Sequence, residues 1–199
     1  VARVRNQDAR RSQLVAAAIE VIADRGLGAV RAKDIAEVAG ISPRLVAYYY
    51  PEIDDLIDEV YRSAVDRYYW QRLEAISKLD SPVDQLVNLI ESGLPAGDGD
   101  MLSRALYEFS VNAGREPTHG ALMTLLFERE VSLYVSVLES GLKTEDFVLS
   151  ESVLAIAQNF VALEDAFGMY INGGNSSLDA GAAAALLRSY ARSATGIDI

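Results

Sequence analysis

Apolar residues recur at intervals of three and four along almost the whole chain, and strand-like alternation is absent. Ala, Leu, Glu and Arg dominate the long segments, so the pattern predicts an all-α protein of about nine helices. A first helix is expected from Ala9 to Arg25, with Leu14, Ala17, Ala18, Val21 and Ile22 as its apolar stripe and Gly26 as its stop. A short second helix is expected over Ala32 to Ala39. Gly40-Ile41-Ser42 then makes a tight turn, in which Ser42 is a good N-cap and Pro43 a good first helical residue. The third helix runs from there to Tyr49, and Pro51 closes the group. A long fourth helix is predicted from Asp54 to Ser77, with Leu56, Val60, Ala64, Arg67 and Leu73 along one side. Five more follow: from Ser81-Pro82 to Gly93, Met101 to Ala113, Pro117 to Ser140 with Gly141 as its stop, Ser150 to Asn172, and Leu178 to Ala194 capped by Ser176 or Ser177.

The second and third helices carry the most information. Ile35, Ala36, Val38, Ala39, Ile41 and Val46 hold the pair together, and the small Ala36 and Ala39 let the helices cross closely. Two short helices around a three-residue turn with Gly form the helix-turn-helix pattern, whose second helix enters the DNA major groove. Such a pair also occurs as plain architecture, so charge has to be weighed. The chain carries −11 overall, which on its face disfavours nucleic acid. Its distribution says otherwise. Residues 1–50 hold eight Lys/Arg against five Asp/Glu, a net of +3, and the remainder is −14. Attraction to phosphate is set by local charge within a Debye length of about 8 Å. On the third helix, Val46 and Tyr50 are expected to face the core. Ser42, Pro43, Arg44, Leu45, Ala47, Tyr48 and Tyr49 lie at its cap and on its exposed side. Arg44 sits in the first turn, where an arginine reaches guanine O6 and N7 in bidentate fashion. Tyr48 and Tyr49 can donate to phosphate or pack on thymine methyls, or else fill the core. Arg3 and Arg5 form a basic N-terminal arm.

Leu14, Ala17, Ala18, Gly26, Ile35-Ala36, Ala39-Gly40-Ile41-Ser42, Tyr48-Tyr49-Tyr50 and Leu56 together resemble the N-terminal domain of the tetracycline-repressor (TetR) family of bacterial regulators. The resemblance covers residues 10–60. It implies a three-helix DNA-binding domain at 1–50, joined through the long fourth helix to a helical effector-binding and dimerisation domain at 51–199. It implies a repressor released from its operator by a small molecule, with an effector pocket among the middle helices and a homodimer built on the last two. Lys33 becomes a second candidate for a base edge. Three positions depart from the family pattern: Arg31 stands where Thr or Ser often opens the second helix, Ala47 where Tyr is frequent, and Ile53 where Lys is frequent. The latter two positions usually contact phosphate. Arg31, Arg44, Tyr48 and Tyr49 are the residues able to compensate.

Chemistry elsewhere is sparse. With no cysteine, disulfides and thiolate metal sites are excluded. The lone His119 lacks a ligand cluster and reads as a surface or packing residue, and no metal site is expected. No phosphate-binding loop or nucleophile motif is found, so neither an enzyme nor a cofactor is expected. The sequence shows no signal peptide and no apolar stretch long enough for a membrane, and a cytoplasmic protein is expected. Polar groups on apolar helices mark the candidate effector site, because a buried polar group needs a partner. These are Tyr69 and Trp70 (next to Tyr68) on the fourth helix, Tyr107, Glu108 and Asn112 on the sixth, and Gln158, Asn159, Glu164 and Asp165 on the eighth. Glu164 or Asp165 pairing with Arg188 or Arg192 is the structural alternative. Acids there favour a cationic or hydroxyl-rich effector. Two other functions fit the pattern: an all-helical enzyme or binding protein with structural N-terminal helices, and a regulator that recruits a protein partner.

Overall fold

The computed structural model describes the backbone of residues 2–97 and 99–199, and the side chains of residues 7–97 and 99–199. Among the described residues every regular element is helical: α1 (Ala2–Arg25), α2 (Ala32–Ala39), α3 (Pro43–Tyr49), α4 (Ile53–Ile76), α5 (Pro82–Ser92), α6 (Met101–Asn112), α7 (Pro117–Lys143), α8 (Val153–Asn172) and α9 (Ala180–Thr195), with 3-10 turns at Leu27–Ala29 and Ala113–Arg115. The all-α class is as the sequence predicts. No helix of the described residues is long and apolar enough to cross a membrane.

Boundaries differ where local chemistry was misread. Helix α1 begins well before Ala9. Helix α7 runs through Gly141 instead of stopping there. At Gly141 a Cβ would lie 2.1 Å from the Phe147 ring, so the glycine makes room for a buried aromatic and is not a terminator. Asp179, not Ser176 or Ser177, caps α9, its carboxylate accepting from the Ala182 N–H at 2.8 Å.

The chain packs as two compact units. The first holds residues 1–67 and 104–123, the second residues 68–103 and 124–199; α4, α6 and α7 contribute to both. In the first, α1 packs on α2 and α2 on α3. Leu14, Ala18 and Ile22 of α1, Ile35 and Ala36 of α2, and Val46 of α3 are buried. Tyr61 of α4 stacks on Phe109 of α6 with centroids 4.2 Å apart. The single histidine belongs to this unit: His119 is buried, its Nε2 lies 3.1 Å from Asp58 Oδ1, and its ring meets Tyr61 and Phe109 edge-on.

The second unit is built around Leu86, Leu89 and Ile90 of α5, Leu133, Val137 and Leu138 of α7, Ile156, Phe160 and Val161 of α8, and Ala183, Leu187 and Ala191 of α9. Phe160 stacks on Tyr134 with centroids 4.6 Å apart. The segment between α7 and α8 is tied to the end of α9 by two backbone bonds, from the Val148 N–H to the Thr195 carbonyl and from the Ser150 N–H to the Ala194 carbonyl. Along α4 the row at four-residue spacing is Leu56, Val60, Ala64, Tyr68, Arg72 and Ile76, and all but the partly buried Tyr68 are buried. Arg67, expected on that side, is exposed.

Candidate functional site

Helix α2 ends because Gly40 takes a left-handed conformation, φ 66° and ψ 35°, which a side chain disfavours. The Ile41 N–H then reaches back to the Ala36 carbonyl at 2.9 Å, closing the helix end. Gln13 of α1 donates to the Ala39 carbonyl at 2.8 Å, satisfying another terminal acceptor. Two residues past the glycine, the Ser42 hydroxyl accepts from the Leu45 N–H at 3.3 Å, and Pro43 opens α3. The turn thus fixes both helices by local bonds.

On α3, Val46 and Tyr50 are buried, as their spacing predicts. Arg11 anchors that inner side, its guanidinium 4.9 Å from the Tyr50 ring and 3.0 Å from Glu59. Pro43, Arg44, Ala47 and Tyr48 are exposed, and Leu45 and Tyr49 are partly so. Tyr48, 67 % exposed, is braced edge-on by Tyr49 with centroids 5.3 Å apart. Lys33 is exposed on α2. Arg31 is exposed, yet its guanidinium donates to the carbonyls of Val30 at 2.7 Å and Gly28 at 3.3 Å. It closes the preceding turn. Ser42 is likewise occupied as a cap. The side chains of Arg3 and Arg5 lie outside the described residues.

The nine residues marked in the sequence for an effector are divided between the two units. Tyr107, Glu108 and Asn112 belong to the first unit. There the Glu108 carboxylate accepts from the Leu27 N–H at 3.1 Å, and Asn112 donates to the Glu108 carbonyl. Tyr69, Trp70, Gln158, Asn159, Glu164 and Asp165 belong to the second. Gln158, Asn159 and Asp165 are exposed, and Trp70 is 57 % exposed and packs edge-on against Tyr69.

Glu164 alone of these is deeply buried, and its partner is Arg72, a residue the sequence reading passed over. Arg188 pairs instead with Glu91, and Arg192 donates to the Ile199 carbonyl. Arg72 is 3 % exposed. Its Nη2 donates to Glu164 Oε1 at 2.9 Å and to the Leu89 carbonyl at 2.9 Å. Its Nη1 donates to Glu164 Oε2 at 3.2 Å and to Glu130 Oε1 at 3.1 Å. The Tyr134 hydroxyl also donates to Glu164. Gly93, past the end of α5, presses on the same carboxylate: a Cβ there would lie 1.9 Å from Glu164 Oε1. Burial drives the Glu130 carboxyl well above the usual carboxylate range, against the pull of Arg72. Glu164 is raised too, again by burial, with Arg72 and Tyr134 opposing. One guanidinium therefore faces two buried carboxyls.

Two short helices meeting at this turn in an all-helical chain form the helix-turn-helix found in DNA-binding proteins. Residues 14–60 match the family model for bacterial regulatory proteins of the tetR family. The HTH-type transcriptional repressor KstR2 of Rhodococcus jostii (strain RHA1) is 29% identical over 142 residues, covering 69% of this chain and 68% of that protein. The HTH-type transcriptional regulator BetI of Rhizobium meliloti (strain 1021) is 33% identical over 81 residues, 41% of this chain and 40% of that one. Among solved structures, a transcriptional regulator from Saccharomonospora viridis in complex with choline superposes with a TM-score of 0.85 at 20% identity, covering 94% of this chain and 98% of that one. Residues 14–60 thus carry the domain of the tetR family of bacterial regulatory proteins, and the chain as a whole shares the fold of solved transcriptional regulators.

Proposed function

We propose that this regulator is a ligand-responsive repressor: residues 1–50 hold an operator, and residues 51–199 bind a small effector that releases it and join two copies into a dimer. The observation that carries the DNA half is the division of α3, with Val46 and Tyr50 buried and Arg44, Ala47 and Tyr48 turned to solvent. Arg44 reads a base edge, Tyr48 contacts backbone or a thymine methyl with Tyr49 bracing it, and Lys33 adds a second polar reach. Arg3 and Arg5 add phosphate contacts. Repression is supported by the name of the KstR2 relative, and a small effector by the choline-bound neighbour of the same fold.

The test is a genomic selection with the purified protein, followed by titration of the recovered site. Arg44→Ala is expected to weaken the operator about ten-fold while leaving binding to random DNA nearly unchanged, since a bidentate base contact is worth about 1–3 kcal/mol. Equal weakening on both DNAs would show that Arg44 serves as a phosphate contact only.

Helices α8 and α9 carry exposed apolar side chains, Leu154, Met169, Tyr170 and Leu186, suited to helix-on-helix pairing. Sedimentation at micromolar concentration without DNA is expected to give twice the chain mass, and Leu186→Glu is expected to shift it toward the monomer. A monomer in the unmodified protein would overturn the dimer and, with it, the expectation of a near-palindromic operator.

A further inference from the structure

The turn that leads into the helix-turn-helix is held from outside residues 1–50. Helix α1 closes at Gly26, whose N–H donates to the Ile22 carbonyl at 2.9 Å. Gly26 has φ 76° and ψ 157°, a conformation that a side chain disfavours, and it starts the 3-10 turn Leu27–Ala29. The first amide of a helical turn has no partner inside it, and a glycine cap has no side chain to supply one. For Leu27 the acceptor comes from 81 residues along the chain: Glu108 Oε2 of α6, at 3.1 Å. The two elements fit closely, since a Cβ at Gly26 would lie 3.2 Å from the same oxygen. Both belong to the first unit. The backbone that carries Glu108 is itself held. Its neighbour Phe109 is buried against Tyr61 of α4, and Asn112 donates to the Glu108 main-chain carbonyl at 2.8 Å.

The capped turn aims the reading helix. Arg31 donates to the carbonyls of Gly28 and Val30 on its other side. Arg25, at the end of α1, pairs with the buried Asp34 in the first turn of α2, and the Asp34 N–H donates to the Arg31 carbonyl at 2.9 Å. The end of α1, the turn and the start of α2 thus form one hydrogen-bonded block, and the turn at Gly40 fixes α3 to α2. Resting on the reading that α3 meets an operator, we propose that Glu108 is a positioning residue for DNA recognition. Its bond to Leu27 references α2 and α3 to α6, and so sets the angle at which Arg44 and Tyr48 reach the groove. Base contacts carry sequence information and need that angle, whereas phosphate contacts tolerate a change in it. Operator reading then depends on residues 104–123 as well as on residues 1–50.

The experiment compares the full chain with Glu108→Gln, Glu108→Asp and Glu108→Ala. Glutamine keeps the acceptor and loses the charge, whereas aspartate keeps the charge and falls short of Leu27 by one methylene. Fluorescence anisotropy gives affinity for the operator recovered by the genomic selection and for random DNA of equal length, well below the melting temperature of each variant. Glu108→Asp and Glu108→Ala are expected to weaken the operator about five-fold, the worth of one hydrogen bond, with random DNA changed less than about two-fold. Glu108→Gln is expected to stay within about two-fold of wild type on both DNAs. Hydrogen exchange at the Leu27 amide should quicken about five-fold in the aspartate and alanine variants and not in the glutamine variant. The inference is overturned if the aspartate and alanine variants bind the operator as wild type does, or if they lose both DNAs alike, the mark of general destabilisation. It is also overturned if Glu108→Gln weakens the operator as much as Glu108→Ala, which would make charge the cause and not the bond. Should Glu108→Ala fail to fold, the aspartate and glutamine variants decide between these outcomes. A wild-type protein that prefers no site over random DNA would remove the operator reading itself, and the positioning role with it.

Discussion

Replacing Arg72 by Met is expected to cost about 3–5 kcal/mol of folding stability at neutral pH, the range found when one member of a buried ion group is removed. The loss comes less from contacts than from what stays behind. Glu130 and Glu164 remain buried without a guanidinium, and the Leu89 carbonyl loses its donor. Urea denaturation of both proteins measures the difference. Its pH dependence carries the diagnosis. Burial already holds both carboxyls above their usual range, and removing Arg72 raises them further. A carboxyl whose folded pKa is raised contributes stability that is fully present below the unfolded value, about 4.3, and is lost as pH rises through the folded value. The deficit of Arg72→Met should therefore shrink as pH falls from neutral toward that range. Adding Glu130→Gln and Glu164→Gln to the variant should recover most of the loss, since a neutral cluster needs no counter-charge. A deficit that ignores both pH and the added substitutions would assign Arg72 to packing alone.

Gly93→Ala is expected to destabilise the second unit by about 3 kcal/mol, the upper part of the range for overpacking a tight site. Nothing in the backbone forbids alanine: φ is −82° and ψ −10° at Gly93. Alanine there would even gain about 0.4–1 kcal/mol by restricting the unfolded chain. The obstacle is Glu164, whose Cδ would sit 2.1 Å from the new Cβ. An exposed glutamate would swing away, but this one is held by Arg72 and Tyr134, so the clash outweighs the entropic gain. A double-mutant cycle with Glu164→Ala isolates the effect. In that background Gly93→Ala should cost nothing. An equal cost in both backgrounds would place the clash elsewhere.

The helix-turn-helix was legible in the sequence because its determinants are local. Gly40, Ser42 and Pro43 each act on backbone within four residues, and the boundaries of α2 and α3 follow from them. The helical class was legible for the same reason. The ion cluster was not, because its members lie far apart in the chain and a charged residue on a helix is ordinarily solvated. A signal was nonetheless present. Arg72 continues the four-residue row Leu56, Val60, Ala64, Tyr68, and Glu130 sits within Leu122, Leu126, Tyr134 and Leu138 at the same spacing. Glu164 follows Ile156 and Phe160 likewise. A charge in register with an apolar row is a charge inside a core. Glu164 is legible through this kind of interruption, but the arginines expected to pair with it, Arg188 and Arg192 on α9, are taken by Glu91 and by the Ile199 carbonyl. Glu108 and Asn112 interrupt α6 for a different reason: their polar atoms meet backbone close by, at Leu27 and within α6 itself.

The chain has a single tryptophan and a single histidine, and they fall in different units. Trp70, largely open to water, gives a fluorescence signal from the second unit alone. The buried His119 ring gives a proton resonance from the first. Neither signal needs a label or an engineered residue. Followed together through a denaturant titration, they ask whether the two units melt as one cooperative body. Coincident curves would mean a single transition, and separated ones would give each unit its own midpoint.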